Sequence, residues 1–222
     1  MKRIPEPELM DEPEQALAYA EADFSEPNEL FLECFRELHP GPLGAALVLD
    51  LGCGPGDILL RFARAYPEAR LHGLDGSEAM LEFGRRALEQ EPELAARVQL
   101  SCECLPSERL PEAAYHAVIS NSLLHHLWEP QVLWRTVRQC GRSGAAVVVM
   151  DLHRPDSAQE ADRLVETYAA DAPAVLQRDF RNSLFAAFSV DEVEQQLREA
   201  GLGQLRVDLV SDRHLCVRGH LA

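Results

Sequence analysis

The chain has 222 residues, 46% of them hydrophobic and 26% charged, which excludes wholesale disorder and leaves enough apolar side chains for a large core. Its 37 acidic side chains outnumber the 21 basic ones, for a net charge of −16. Such a surface repels phosphate backbones and anionic membranes, so no nucleic acid and no membrane is expected as partner, unless a local basic patch survives in a cleft.

The length suits one domain, residues 1–222, carrying an insertion or a lid. No stretch reaches the length of a membrane span and the first residues lack the apolar core of a signal peptide, so the expected location is cytoplasmic. Of six cysteines only Cys102 and Cys104 are close, and no His or Cys cluster accompanies them. Free thiols are therefore expected, and no metal site. Oligomeric state is left open.

Residues 1–43 read as a helical lead-in and cap. "IPEPELMDEPEQ" is acidic, proline-rich and solvated, whereas "YAEADFSEPNELF" (19–31) carries Tyr19 and Phe24, which either close over a ligand or pack on the sheet. From 44 to 152, apolar runs alternate with helical patterns, the sign of βαβ units and a parallel sheet. The strands are "ALVLDL" (46–51), "RLHGLD" (70–75), "RVQLSCE" (97–103), "YHAVISN" (115–121) and "AAVVVMDL" (145–152). The helices between them include "ILLRFARAYP", stopped at Pro67, "SEAMLEFGRRALEQ" with Ser77 as N-cap, and "PQVLWRTVRQC" with Pro130 in its first turn.

Residues 153–188 break the rhythm with helical patterns and no strand, an inserted helical cap. "SVDEVEQQLREAGL" (189–202) has the marks of a capped helix, Ser189 and Glu192 forming a capping box and Gly201 its end. "QLRVDLV" and "HLCVRGH" are separated only by "SDR", too short for a crossover, so they pair antiparallel. The fold expected is α/β, a Rossmann-like three-layer sandwich whose seven-stranded, mostly parallel sheet ends in an antiparallel hairpin.

In "VLDLGCGPGD" (48–57), Gly52, Gly54 and Gly56 follow the first strand, and Asp50 and Asp57 flank them. Glycines here admit close approach of a ligand to the backbone. The dinucleotide fingerprint needs a third glycine where Asp57 stands, and acids on both sides oppose a pyrophosphate and favour a positive group. Asp75, ending the second strand, is placed to accept both hydroxyls of a ribose, or else caps the next helix. The ligand required is nucleoside-like, lacks a pyrophosphate and carries an amine, and S-adenosylmethionine meets all three conditions.

"VLDLGCGPG", "GLDGSEAM" and "AVISNSLLHHL", in this order and spacing, resemble the class I S-adenosylmethionine-dependent methyltransferases of the small-molecule type. The likeness spans residues 44–152, and the terminal hairpin agrees with that family's sheet. The resemblance implies that Asp50 and Gly52 face the amino-acid part of the cofactor, that Gly54 lets it approach the backbone, that Gly56 belongs to the same cofactor-binding loop, and that Asp75 binds the ribose hydroxyls with Gly76 and Ser77 near the adenosine. It further implies Met80 beneath the adenine, Glu103 near the adenine amino group, Cys104 offering a backbone N–H, and Asn121, Ser122, Leu123 and His126 on the methionine side. For Met80 the alternative is simple core packing, and for Glu103 a solvated strand-end carboxylate.

Methyl transfer needs alignment of the acceptor and only sometimes a base. His125 and His126, after the fourth strand, and Asp151, ending the fifth, are the catalytic candidates, with structural packing or ion pairing as their alternative roles. Acceptor candidates are Tyr19, His153, Arg154, Arg178 and Arg181. The last two lie beside Phe180, Phe185 and Phe188 in a pattern suiting an acidic or aromatic molecule, or else an amphipathic cover helix. Arg213 and His214 in the hairpin turn either reach the lid or solvate the turn, and the second reading is preferred. The expected activity is methyl transfer (EC 2.1.1.-) to a small molecule, with S-adenosylhomocysteine as product. The rival readings are a non-catalytic cofactor-binding scaffold, non-methyl chemistry with the same cofactor and, more distantly, a nicotinamide oxidoreductase.

Overall fold

The computed structural model describes residues 1–6 and 13–222, so half of the acidic lead-in, at 7–12, lies outside the described residues. Strands β1 (Leu47–Leu51), β2 (Arg70–Asp75), β3 (Val98–Cys102), β4 (Tyr115–Asn121) and β5 (Gly141–Leu152) pair parallel to one another. β6 (Arg206–Leu209) and β7 (His214–His220) form the expected antiparallel hairpin, and β7 also pairs antiparallel with β5. The order across the sheet is β3-β2-β1-β4-β5-β7-β6.

The helices are α1 (Pro13–Glu21), α2 (Ser25–Leu38), α3 (Asp57–Ala65), α4 (Glu78–Glu89), the single turn α5 (Pro92–Ala95), α6 (Gln131–Cys140), α7 (Ala158–Ala169), α8 (Ala174–Ala186) and α9 (Val190–Glu199). Alternation along the buried strands sends side chains to two cores. Leu49, Val118, Val147 and Val149 meet Trp134 and Val137 of α6 and Leu197 of α9. Val48, Ile119, Val148 and Met150 meet Phe31 and Phe35 of α2 and Leu59 and Phe62 of α3. This is the three-layer sandwich anticipated from the apolar runs. A smaller cluster of Leu152, Ala161, Leu164 and Leu184 joins α7 and α8 into the cap.

The local signals act as their chemistry dictates. Ser77 accepts the Met80 N–H at the start of α4, and Ser189 with Glu192 completes the capping box of α9. β5 begins earlier than its apolar run, because Gly141 already pairs with Tyr115 before the register shifts. Chain order reverses between β1 and β4, which opens a crevice at the carboxyl ends of these strands. That crevice is the site.

Candidate functional site

Beyond β1 the chain turns through Gly52, Gly54 and Gly56 at φ +71°, +52° and +89°, a region costly for any other residue. A Cβ on Gly52 would stand 2.8 Å from Leu123 Cδ1, so the loops after β1 and β4 touch because no side chain intervenes. A Cβ on Gly54 would meet nothing within 4 Å, and the space above it belongs to a cavity of about 690 Å³. Gly56 does not line this cavity, contrary to expectation. Its positive φ instead leads the chain into α3, where its carbonyl accepts the Leu60 N–H at 2.8 Å.

Asp75 ties the neighbouring turns together. Its Oδ2 accepts the Gly54 N–H and its Oδ1 the Ser77 N–H, both at 2.8 Å, while its carbonyl accepts the Glu103 N–H. Gly76, Ser77, Met80, Glu103 and Cys104 line the same cavity as Asp75, and Met80 is buried in its wall. Glu103 accepts the Ser107 hydroxyl, with Arg109 at 3.7 Å, so it is held and not merely solvated.

Asp50, 1% exposed, has an Oδ2 with no hydrogen-bond partner in the protein, and the shielded Oδ1 of Asn121 has none either. Burial, with the Asp75 charge adding to it, pushes the Asp50 carboxyl up to about 8. Both residues line the cavity, as do Ser122 and Leu123. Ser122 adopts φ +56°, strain of the kind that collects at ligand-facing turns. The arrangement fits an elongated ligand with a cation at the ends of β1 and β4 and a diol at Asp75.

At the far end, His125 Nδ1 lies 2.5 Å from Asp151 Oδ1, and Asp151 also accepts the backbone N–H of Leu152 at 2.6 Å. Burial alone would lower His125, but the Asp151 charge and hydrogen bond outweigh it and hold the imidazole above its ordinary value. Burial likewise opposes ionisation of Asp151, and the two histidines prevail and hold it low. Asp151 does not line the cavity, so it orients His125 from behind and is not placed to touch a reactant. His125 Nε2 and His126 Nδ1 each lie 3.5 Å from Glu6 Oε1, which also accepts the Ser183 hydroxyl at 2.9 Å. Arg3 fastens this N-terminal stretch, stacking 3.9 Å over Phe188 and donating to the carbonyls of Ala186, His125 and Leu127. The Ile4 N–H also donates to the Phe185 carbonyl at 2.9 Å, and Glu6 is partly buried, which corrects the solvated reading at that residue, while the Ile4 and Pro5 side chains remain exposed.

Tyr19 and Phe24, with ring centroids 4.7 Å apart, line the cavity together with Phe180 and Asp179. His153, Arg154, Arg178 and Arg181 do not. Arg178 pairs with Asp179 at 2.9 Å, and Arg181 with Asp162 of α7 at 2.6 Å while stacking on Phe185. Arg154 is spent on Glu192 and the Ala187 carbonyl, and His153 is held in a bridge to Phe188. On α8, Phe180 and Ser183 face the cavity, while Arg181 turns to Asp162 of α7 and Arg178 pairs with the neighbouring Asp179.

Arg213 and His214, read as turn solvation, instead line the cavity and are nearly buried. Arg213 stacks 3.4 Å from the Tyr168 ring and pairs with Glu26 at 3.0 Å and Asp212 at 3.3 Å. Burial, then the Arg213 charge, depresses His214 to about 4, so it is neutral at pH 7. A usable signal was present: β7 runs antiparallel to β5, so its first residue must lie at the carboxyl edge of the parallel strands. For Glu6 no sequence signal existed.

Residues 48–145 match the family model described as a methyltransferase domain. The trans-aconitate 2-methyltransferase of Variovorax paradoxus is 35% identical over 135 residues, covering 58% of this chain and 46% of that protein. Human methyltransferase-like protein 27 is 39% identical over 93 residues, 40% of this chain and 34% of its own length. The chain thus spans about half or less of the curated relatives it matches. The fold agrees with a SAM dependent methyltransferase from Aquifex aeolicus, with TM-score 0.68 and 16% identity over 95% of this chain and 99% of that one. Phosphoethanolamine N-methyltransferase 2 of Haemonchus contortus, solved with S-adenosyl-L-methionine, gives TM-score 0.67 and 15% identity, covering 89% of this chain and 43% of that one. The glycine loop, its acids and the seven-stranded sheet thus stand together with a methyltransferase-domain match over residues 48–145 and a fold shared with solved S-adenosylmethionine-dependent methyltransferases.

Proposed function

We propose that the protein methylates a small-molecule acceptor with S-adenosylmethionine, leaving S-adenosylhomocysteine. The observation that carries this reading is the pair of partnerless shielded oxygens, Asp50 Oδ2 and Asn121 Oδ1, beside open glycine backbone in the cavity that Asp75 also lines. Asp50, Gly52, Gly54 and Asn121 would hold the amino-acid part of the donor, Asp75 the ribose, and Met80, Glu103 and Cys104 the adenine. When bound, the donor supplies an electrophilic methyl group for in-line displacement.

The chain's own work is alignment and exclusion of water. A cavity of about 690 Å³ leaves room for donor and acceptor side by side. Tyr19, Phe24, Tyr168 and Phe180 give the cavity aromatic surface, and Ser183, Asp179 and Arg213 add a few polar groups. Among the described cavity residues Arg213 is the one guanidinium, and Glu26 and Asp212 already pair with it. This charge balance supports a neutral or cationic acceptor over a polyacid. Where the acceptor must lose a proton, the His125–His126–Glu6 cluster lies at the cavity wall to handle it.

The test is transfer of isotope-labelled methyl from S-adenosylmethionine into a fractionated cell extract. Label in a low-mass product with release of S-adenosylhomocysteine is the expected result. No transfer by protein that binds the donor would overturn the catalytic reading, and label confined to nucleic acid or protein would overturn the acceptor class.

A further inference from the structure

We propose that Glu6, His125 and His126 bind a divalent first-row metal ion of the zinc type at the acceptor end of the cavity. Among the described residues they are the one group of three His, Cys, Asp or Glu side chains whose ligand atoms converge, all within 4.8 Å of one another. A tetrahedral ion with bonds of roughly 2.0–2.2 Å needs ligand atoms about 3.3–3.6 Å apart. Glu6 Oε1 stands 3.5 Å from His125 Nε2 and 3.5 Å from His126 Nδ1, so two edges of that tetrahedron already have their length.

The surroundings are those of a supported site. Asp151 accepts from His125 Nδ1, and His125 Nε2 stands 3.5 Å from Glu6 Oε1. An ion between these two atoms satisfies both once it displaces the proton that either of them carries. A carboxylate behind a metal-bound histidine is a recurrent outer-shell arrangement that orients the ring and raises its basicity. Ser183 fixes Glu6 in the same way, the Trp128 indole donates to the Glu6 carbonyl at 3.1 Å, and Arg3 binds the carbonyls of His125 and Leu127. The ligands are thus held by groups outside the set.

Both histidines line the cavity, so the remaining coordination position opens toward the acceptor. An acceptor hydroxyl or thiol bound there releases its proton to solvent and keeps the lone pair that forms the new bond to the methyl carbon. The sulfonium S–CH3 bond of the donor breaks as the new bond forms, and its electron pair stays on the donor sulfur. The acceptor leaves as an ether or thioether, and the ion is not consumed. This role rests on the methyltransferase reading, whereas binding of the ion does not.

The experiment uses tag-free full-length protein stripped with a chelator, then titrated with Zn²⁺ by calorimetry and with Co²⁺ by visible absorption. About one ion per chain is expected, with tetrahedral Co²⁺ bands. Glu6→Gln and His126→Asn should each weaken binding by about tenfold or more, and the surface substitution His220→Asn should change nothing. Titration of every variant with S-adenosylmethionine checks folding and tests the donor site separately, so loss of donor binding with metal binding intact would indict the function and not this site. Wild-type protein that binds Co²⁺ no better than Glu6→Gln, or a stoichiometry that survives both substitutions, would overturn the proposal.

Discussion

Replacing Asp50 by Asn exchanges one oxygen for an amide and removes the buried acid at the end of β1. In the unliganded protein that carboxyl titrates at about 8 against an ordinary 3.8, because burial and the neighbouring Asp75 charge disfavour the anion. The folded value lies above the unfolded one, so its contribution to stability is full below pH 3.8 and is lost as pH rises through about 8. From 3.8 to pH 7, at about 1.4 kcal/mol per unit, the upper limit of the loss is about 4 kcal/mol. Asp50→Asn should therefore melt higher than wild type at pH 7 without ligand, with the gap closing toward pH 4, and should bind S-adenosylmethionine more weakly. Donor binding to wild type at pH 7 should release about one proton as the carboxylate ionises against the ammonium. Calorimetry in two buffers of different ionisation enthalpy measures that proton, and Asp50→Asn should lack it. A variant less stable than wild type at pH 7, or donor binding by wild type with no proton release, would refute the reasoning.

Asp75→Ala removes the acceptor of two backbone N–H groups and of the proposed ribose contacts. At about 1.5–3 kcal/mol for each charge-assisted bond, donor affinity by calorimetry should fall at least about 100-fold. Gly52→Ala places a Cβ 2.8 Å from Leu123 at φ +71° and should cost about 1–3 kcal/mol in urea unfolding. For Asp151→Asn, the lost partner should drop the His125 titration seen by NMR below its ordinary value, since burial, the largest effect, is then opposed only by the Glu6 charge. The pair's stabilisation is present above the depressed Asp151 value and below the raised His125 value, and is lost on either side. The variant's deficit, about 3–5 kcal/mol, should therefore peak between those two titrations.

What could be read without coordinates was local or periodic. The bounds of β4, the Ser77 cap, the Ser189–Glu192 capping box and the glycine loop depend on neighbours within a few residues, and each stands where the sequence puts it. The proposed donor half of the cavity follows, since Asp50, Asp75 and Asn121 all lie at or next to strand ends on one sheet edge. The acceptor half was harder to read. Whether Arg181 or Phe180 faces the cavity depends on the roll of α8, which its salt bridge to Asp162 and its packing with α7 determine. Glu6 reaches the histidines through Arg3, whose contacts lie far along the chain, and no periodicity encodes them. Gly56 was read as ligand-facing because turn glycines and ligand glycines look alike until the backbone is seen.

A crystal structure of the protein with S-adenosylhomocysteine tests the donor site most directly. The account predicts the ligand's ammonium within hydrogen-bond range of the now partnerless oxygens of Asp50 or Asn121, and its ribose hydroxyls on Asp75. A ligand bound outside this cavity, or within it with Asp50 and Asn121 still partnerless and the ribose away from Asp75, would contradict it.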